Sequence, residues 1–182
     1  MTTPADTAAR ILRSGGVIAY PTEGVFGLGC LPDDPDAVNR VLQMKQRSPS
    51  KGLILIASDA SQLEAWIELS HADAIPEPDP DNPVTWIVPA STQVSRGVRG
   101  DNDGIAVRIT MHPVARAVCT AVASPIVSTS ANLSGQAAAE DQADLHRQFG
   151  GLVDYIVPGD CGPSSGPSEI RILATGEVLR PR

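Results

Sequence analysis

Aromatic side chains are scarce: two Trp, two Tyr and two Phe make up 3% of the 182 residues. Aliphatic residues must therefore build the core, and the platforms on which single-stranded nucleic acids stack their bases are few. Positive charge is also in deficit. Fourteen Lys and Arg against 21 Asp and Glu give a formal net charge of -7, which disfavours a surface that grips phosphate backbones broadly. The three cysteines (Cys30, Cys119, Cys161) and three histidines (His71, His112, His146) are scattered, with no C-x-x-C pair. Neither a disulfide framework nor a set of metal-ligating residues is expected, and three free thiols fit a reducing compartment. No apolar run approaches the ~20 residues of a membrane span, and the N-terminus carries no basic segment followed by an apolar one. The expectation is a cytoplasmic protein without a membrane role.

What is present is globular: 42% hydrophobic and 19% charged residues over a length that suits one domain, residues 1–182. Apolar spacing predicts helices over 5–14, 36–46, 61–69, 113–122 and 140–149. Short apolar runs predict strands at 17–20, 53–56, 84–88, 105–109, 125–128 and 155–157, with a hairpin of 170–173 and 177–179 turning at Thr175-Gly176. Residues 71–83 carry four prolines among acidic residues and read as an extended, exposed loop. Strands and helices intermingle without repeats, so the class is a single α/β domain.

Four clusters follow buried strands, where open α/β sheets commonly place ligands. Pro21-Thr22-Glu23-Gly24-Val25-Phe26-Gly27-Leu28-Gly29 lets backbone approach a ligand closely, although it is not G-x-G-x-x-G and, taken alone, reads first as a plain structural turn. Lys45-Gln46-Arg47-Ser48-Pro49-Ser50-Lys51 holds three cations in seven residues, which suits polyphosphate or a mere helix-end role. Arg108 stands in an apolar strand, where its charge must be paired, exposed on one face, or directed into a site. Ser128-Thr129-Ser130-Ala131-Asn132-Leu133-Ser134-Gly135 concentrates small hydroxyl and amide groups without the G-x-S-x-G of a hydrolase elbow. Hydrogen bonding to phosphate, ribose or an amino acid is its functional reading; a cap or turn is the other.

In this order the clusters resemble the YrdC/TsaC family of threonylcarbamoyl-AMP synthases. The residues that carry the resemblance are Pro21-Thr22-Glu23-x-Val25-Phe26-Gly27-x-Gly29, Lys45-x-Arg47 with Lys51-Gly52-Leu53, Val107-Arg108-x-x-x-His112-Pro113, Ser128-Thr129-Ser130-Ala131-Asn132-x-Ser134-Gly135 and Pro167-Ser168-Glu169-Ile170. The match runs from about Val17 to Arg180 and is similar to the short bacterial form. Two departures stand out: Pro80-Asp81-Asn82 replaces a frequent Trp-Pro-Gly before Pro83-Val84-Thr85, and Phe26 stands where relatives often have Tyr.

The resemblance implies a twisted, open mixed sheet with flanking helices around a large, basic-lined cavity. It implies Thr22, Arg108, Ser128 and Ser168 around L-threonine. It implies Lys45, Arg47, Lys51, Ser130, Asn132 and, more weakly, Arg180 around ATP. Lys45, Arg47 and Lys51 are the residues expected to carry catalysis by offsetting phosphate charge, with Mg²⁺ accompanying ATP. The implied reaction joins L-threonine, bicarbonate and ATP into threonylcarbamoyl-AMP and pyrophosphate, for use by tRNA threonylcarbamoyl-transfer proteins. It leaves room for tRNA contact without requiring it. The other readings are an RNA-binding module and a carbamoyl-AMP-forming maturation domain; the latter usually accompanies zinc-finger cysteines, and this chain has none.

Overall fold

The computed structural model describes residues 1–68, 74–133, 136–139 and 141–182. Helix α1 (Pro4–Arg13) begins in a reciprocal cap: Thr3 Oγ1 accepts from Asp6 N–H, and Asp6 Oδ2 accepts from Thr3 N–H. Helix α2 (Pro35–Met44) starts on Asp34, whose carboxylate accepts from the N–H groups of Asp36 and Ala37. One turn of helix, α3 (Arg96–Arg99), precedes α4 (Pro113–Val122) and α5 (Gln142–Phe149).

The strands are β1 (Ile18–Pro21), β2 (Phe26–Gly29), β3 (Ile54–Ala57), β4 (Val84–Pro89), β5 (Gly104–Ile109), β6 (Ile126–Ser130), β7 (Tyr155–Ile156), β8 (Glu169–Ile172) and β9 (Val178–Arg180). They form one mixed sheet in the order β7-β1-β2-β6-β3-β5-β4-β8-β9. Strand β6 is the join: it pairs antiparallel with β2 on one side and with β3 on the other.

Residues paired directly across neighbouring strands share a face of the sheet. Tyr20, Gly27, Ser130, Ser128, Ile54 and Ala106 are linked by such pairings, and so lie on one face. Helices α1 and α4 cover that face over β1, β3 and β6, burying Leu12, Val118 and Val122 against Ile18, Tyr20, Ile56 and Ile126. Helix α2 covers the opposite face, where Val38, Val41 and Leu42 meet Leu55, Val107 and Val127. Helix α5 buries Leu145 and Phe149 against Ala19 and Leu28. The first face is left open by helices over β5, β4 and β8, and this is where the cavity lies.

Three expectations need correction. The segment 61–69 is not a helix over its described part: it is a 3₁₀ turn, Ala60–Leu63, after which Ser91 N–H bonds Trp66 O and Glu68 N–H bonds Pro89 O. Those bonds fasten the segment to the end of β4 in place of a second helical turn; Leu69 lies outside the described residues. Strand β2 falls where the glycines suggest a turn. Those glycines accommodate a neighbour instead: a Cβ at Gly29 would sit 2.8 Å from the Tyr20 ring and 2.7 Å from Val127 O. Helix α3 has no counterpart among the expected elements. The loop reading of 71–83 agrees with its described part, 74–83, which holds no helix or strand, while 71–73 lie outside the described residues. Ser134, Gly135 and Glu140, named in a motif and at a helix start, also lie outside them.

Candidate active site

A cavity of about 340 Å³ opens on the uncovered part of the first face. Strand β5 contributes Gly104, Ala106 and Arg108, every second residue, while Ile105 and Val107 point into the core behind. The same alternation brings Ile87 from β4, Ile170 from β8, and Ser128 and Ser130 from β6. This is why a single charge can stand in an apolar strand: Arg108 occupies the cavity side of the alternation.

One wall is built from two loops tied together. Gly162 N–H donates to Thr22 O at 2.9 Å and Ser164 N–H to Glu23 O at 3.0 Å. Thr22 Oγ1 donates to Val25 O at 2.6 Å, which leaves its lone pairs to accept from a ligand. Ser168 Oγ and Thr85 Oγ1 share a hydrogen bond of 2.7 Å, both residues being buried. Arg108 Nη2 lies 3.4 Å from Glu23 Oε2, and the Arg108 Nε and Glu23 Oε2 atoms are buried without a hydrogen-bond partner. Glu23 Oε1 accepts from Thr110 Oγ1 at 2.7 Å, Met111 N–H at 2.9 Å and His112 N–H at 3.4 Å. Burial alone would raise the Glu23 carboxyl, but Arg108 and these donors together hold it below its ordinary value. Glu23 is therefore an ionised carboxylate, braced on one oxygen and turned towards Arg108 with the other. His112, also buried, has Nε2 3.0 Å from Asp160 O; burial lowers its pKa.

The facing wall carries the basic cluster. Arg47 Nε donates to Gly52 O at 3.0 Å, which shapes the loop that presents Lys51, and burial lowers the Arg47 guanidinium below its ordinary value. Arg180, from β9, places Nε and Nη2 on Ser168 O at 3.2 and 2.6 Å. Burial, and then the charges of Arg108 and Arg47, lower its pKa as well. Five cationic side chains thus line one cavity: Arg47, Lys51, Arg99, Arg108 and Arg180. Among the described residues, Glu23 is the acid that faces any of them closely enough to form an ion pair.

Among the residues expected around threonine, Thr22, Arg108, Ser128 and Ser168 all line the cavity. Among those expected around ATP, Arg47, Lys51, Ser130 and Arg180 do; Lys45 and Asn132 do not. The Lys45 ammonium donates to Ser130 O at 2.7 Å, to Asn132 O at 2.8 Å and to Asn132 Oδ1. Asn132 Oδ1 also accepts from Ser130 Oγ at 2.8 Å. Lys45 thus ties the end of α2 to the end of β6 and sets the direction of the Ser130 hydroxyl. Burial, then the Arg47 charge, lowers its pKa to about 8, while its three oxygen acceptors favour the charged form. No sequence motif singles out Arg99 and Asn102, which also line the cavity. Glu23 stands in the first motif without a role of its own, although an acid immediately after a buried strand is itself a signal.

A mixed α/β sheet that gathers hydroxyls and an excess of cations into one cavity defines a protein built to hold a small, polyanionic substrate. The chain belongs to the Sua5/YciO/YrdC family: the family model, described as "Telomere recombination", matches residues 10–181. A relative from Nitrosococcus oceani is 49% identical over 175 residues, 95% of this chain and 95% of that protein, and is named threonylcarbamoyl-AMP synthase. One from Cellvibrio japonicus, 45% identical over 96% of this chain and 93% of its own length, bears the same name. The structure of Sua5 from P. abyssi complexed with L-threonine superposes with a TM-score of 0.84 at 29% identity, over 97% of this chain. This chain spans about half of that one, 53%. T. kodakarensis HypF, at 16% identity and a TM-score of 0.77 over 98% of this chain and 24% of its own, shares the fold.

Among the described residues, no group of three or more His, Cys, Asp or Glu converges on a point where a metal ion could sit. No helix of the described residues is long and apolar enough to cross a membrane.

Proposed function

We propose that this protein is an L-threonylcarbamoyladenylate synthase, using ATP, bicarbonate and L-threonine to make threonylcarbamoyl-AMP and pyrophosphate for tRNA modification. The observation that carries the reading is the excess of cations in a cavity whose other wall presents three hydroxyls beside a braced arginine. With Arg108 matched by Glu23, the four other cations around ~340 Å³ repel one another unless a further anion joins them. The relatives' name, threonylcarbamoyl-AMP synthase, and the L-threonine bound to P. abyssi Sua5 support ATP and L-threonine as substrates; bicarbonate is the carbon source this reading adds.

In this reading Arg108 holds the threonine carboxylate, its fork fixed by Glu23. Thr22, Ser128 and Ser168 surround the rest of the amino acid. A buried hydroxyl left without its partner is costly, so the pocket favours threonine over valine. The amine adds to bicarbonate, water leaves, and a carbamate forms. A carbamate oxygen then bonds the α-phosphorus of ATP as the bond to pyrophosphate breaks, its electron pair leaving with the pyrophosphate oxygen. Arg47 and Lys51 neutralise charge along the phosphates, and Lys45 acts by holding Ser130 and Asn132 in place. Mg²⁺ enters with ATP, held by the phosphate oxygens as part of the substrate. The product passes to tRNA threonylcarbamoyl-transfer proteins, and the net charge of -7 makes lasting tRNA contact unfavourable.

The test is pyrophosphate release from ATP with bicarbonate and each amino acid in turn. Release should need threonine and bicarbonate together. Equal turnover with threonine omitted would sink the reading, and salt-dependent RNA affinity without ATP turnover would replace it with a binding module.

A further inference from the structure

The five cavity cations are not equally engaged. Arg47 gives donors to the carbonyls of Gly52 and Lys51, Arg180 gives two to Ser168 O, and Arg108 faces Glu23. Among the described residues the side chain of Arg99 makes no hydrogen bond and no ion pair, and its Nε is buried without a partner. The adjacent acid is already taken: Arg96 Nε lies 2.7 Å from Asp101 Oδ1.

The backbone of Arg99 is nonetheless held firmly. Its N–H donates to Ser95 O at 2.9 Å, and its carbonyl accepts from Asn102 Nδ2 at 3.1 Å. Gly100 adopts φ +75°, and a Cβ there would meet Ser50 O at 2.5 Å. The turn after α3 therefore lies directly on the loop that carries Lys51. Leu53 N–H to Val98 O at 2.7 Å and Asp101 N–H to Ser50 O at 3.1 Å stitch the two together. Arg99 and Lys51 thus reach the cavity from two backbone segments stitched side by side. A helix-end role does not explain Arg99, since four residues sum too few peptide dipoles. Buried donors in folded proteins are almost always paired, and a guanidinium matches phosphate oxygens with two parallel donors.

We propose that Arg99 is a further nucleotide-binding residue, whose guanidinium engages the β- and γ-phosphates of ATP beside Lys51. This rests on the ATP-dependent reaction proposed above and adds a residue that none of the recognised motifs contains. When the bond at the α-phosphorus breaks, the departing oxygen takes up negative charge on the pyrophosphate, and Arg99 with Lys51 neutralises it.

Calorimetry with ATP, pyrophosphate, AMP and L-threonine as separate titrants tests the assignment on the wild-type protein and Arg99→Gln. Loss of a charge-assisted contact lowers ATP and pyrophosphate affinity about 10-fold or more, while AMP and threonine change less than about twofold. Arg99→Lys keeps the charge without the fork and loses an intermediate amount; it also serves should the Gln variant not fold. Wild-type ATP binding with unchanged affinity in a folded Gln variant overturns this inference alone. So does a loss for AMP as large as that for pyrophosphate. A wild-type protein that binds neither ATP nor pyrophosphate overturns the synthase reading and this inference together.

Discussion

Glu23 and Arg108 form a buried ion pair across 3.4 Å in which each partner keeps one polar atom without a hydrogen bond. The pair is incomplete by geometry: one Glu23 oxygen is saturated by three donors from the 110–112 turn, and the other meets the guanidinium at a distance longer than a good hydrogen bond. Such an arrangement leaves the arginine oriented but still able to accept a second carboxylate.

Arg108→Lys keeps the charge and removes the two-donor fork. Threonine affinity should fall about 10-fold or more, with ATP affinity nearly unchanged, both read by calorimetry on folded protein. A fall in ATP affinity with threonine binding intact would move Arg108 to the nucleotide. A variant that simply unfolds would make the arginine a structural partner of Glu23.

Glu23→Gln removes a carboxylate whose folded pKa lies below its ordinary value. The stability that Glu23 contributes is fully present above that ordinary value and is lost as pH falls through the folded pKa. The variant should therefore be less stable near neutral pH, by about 3–5 kcal/mol for an orphaned buried partner. It should also lose part of the steepness of acid unfolding. Urea unfolding midpoints between pH 2 and 7 check both, and coincident curves for the two proteins would exclude the ion pair as a stability element.

Lys45 acts with the same sign in a more alkaline window. Its folded pKa of about 8 lies below its ordinary 10.5, so between these values the unfolded chain binds more protons and stability rises with pH. Cys30 and Cys119, whose thiols burial raises to about 12, oppose this above pH 9. The readout is therefore the difference between wild type and Lys45→Met, which should grow in favour of the wild type from pH 8 to 10.5. A flat difference would mean that the three oxygen acceptors of the ammonium outweigh its burial.

Arg47→Ala should weaken ATP use about 10-fold or more, since charge-assisted contacts are worth about 1.5–3 kcal/mol, and Lys45→Ala should weaken it indirectly, by releasing Ser130 and Asn132. Unchanged ATP kinetics in both would return the cluster to a helix-end role. The two variants should differ in kind. Lys45→Ala should also disturb the 130–132 turn it anchors, visible as faster amide exchange there, whereas Arg47→Ala should leave that turn protected.

Much of this fold is legible in local pattern. Helices α1, α2 and α4 each combine apolar spacing with a proline or an acid at the start, so one element type satisfies every local preference. The charge of Arg108 in an apolar strand marks a cavity-facing position, because period-2 alternation turns every second side chain of a strand away from the core behind it. Strand β2 is hidden because Gly27 and Gly29 serve the bulk of Tyr20, a partner on another strand. Arg99 gives no signal: between Ser95 and Gly100 it reads as a solvated turn residue, and only the stitching of two distant loops brings it to the cavity. The orientation of Lys45 is likewise a tertiary fact, fixed by oxygens more than 80 residues away.

Because β6 alone connects β7-β1-β2 to β3-β5-β4-β8-β9, the order of synthesis matters. Until residues 126–130 emerge and dock, β2 and β3 each present an open edge, the kind that invites pairing with another chain. Thr22 and Arg108 belong to different sides of that seam, so no nascent fragment ending before residue 126 can bring them together through the sheet. The site is completed only late, when β6 has joined the two halves and Ser168 and Arg180 have followed, and a chain stalled short of that is a candidate for chaperone capture rather than for partial activity.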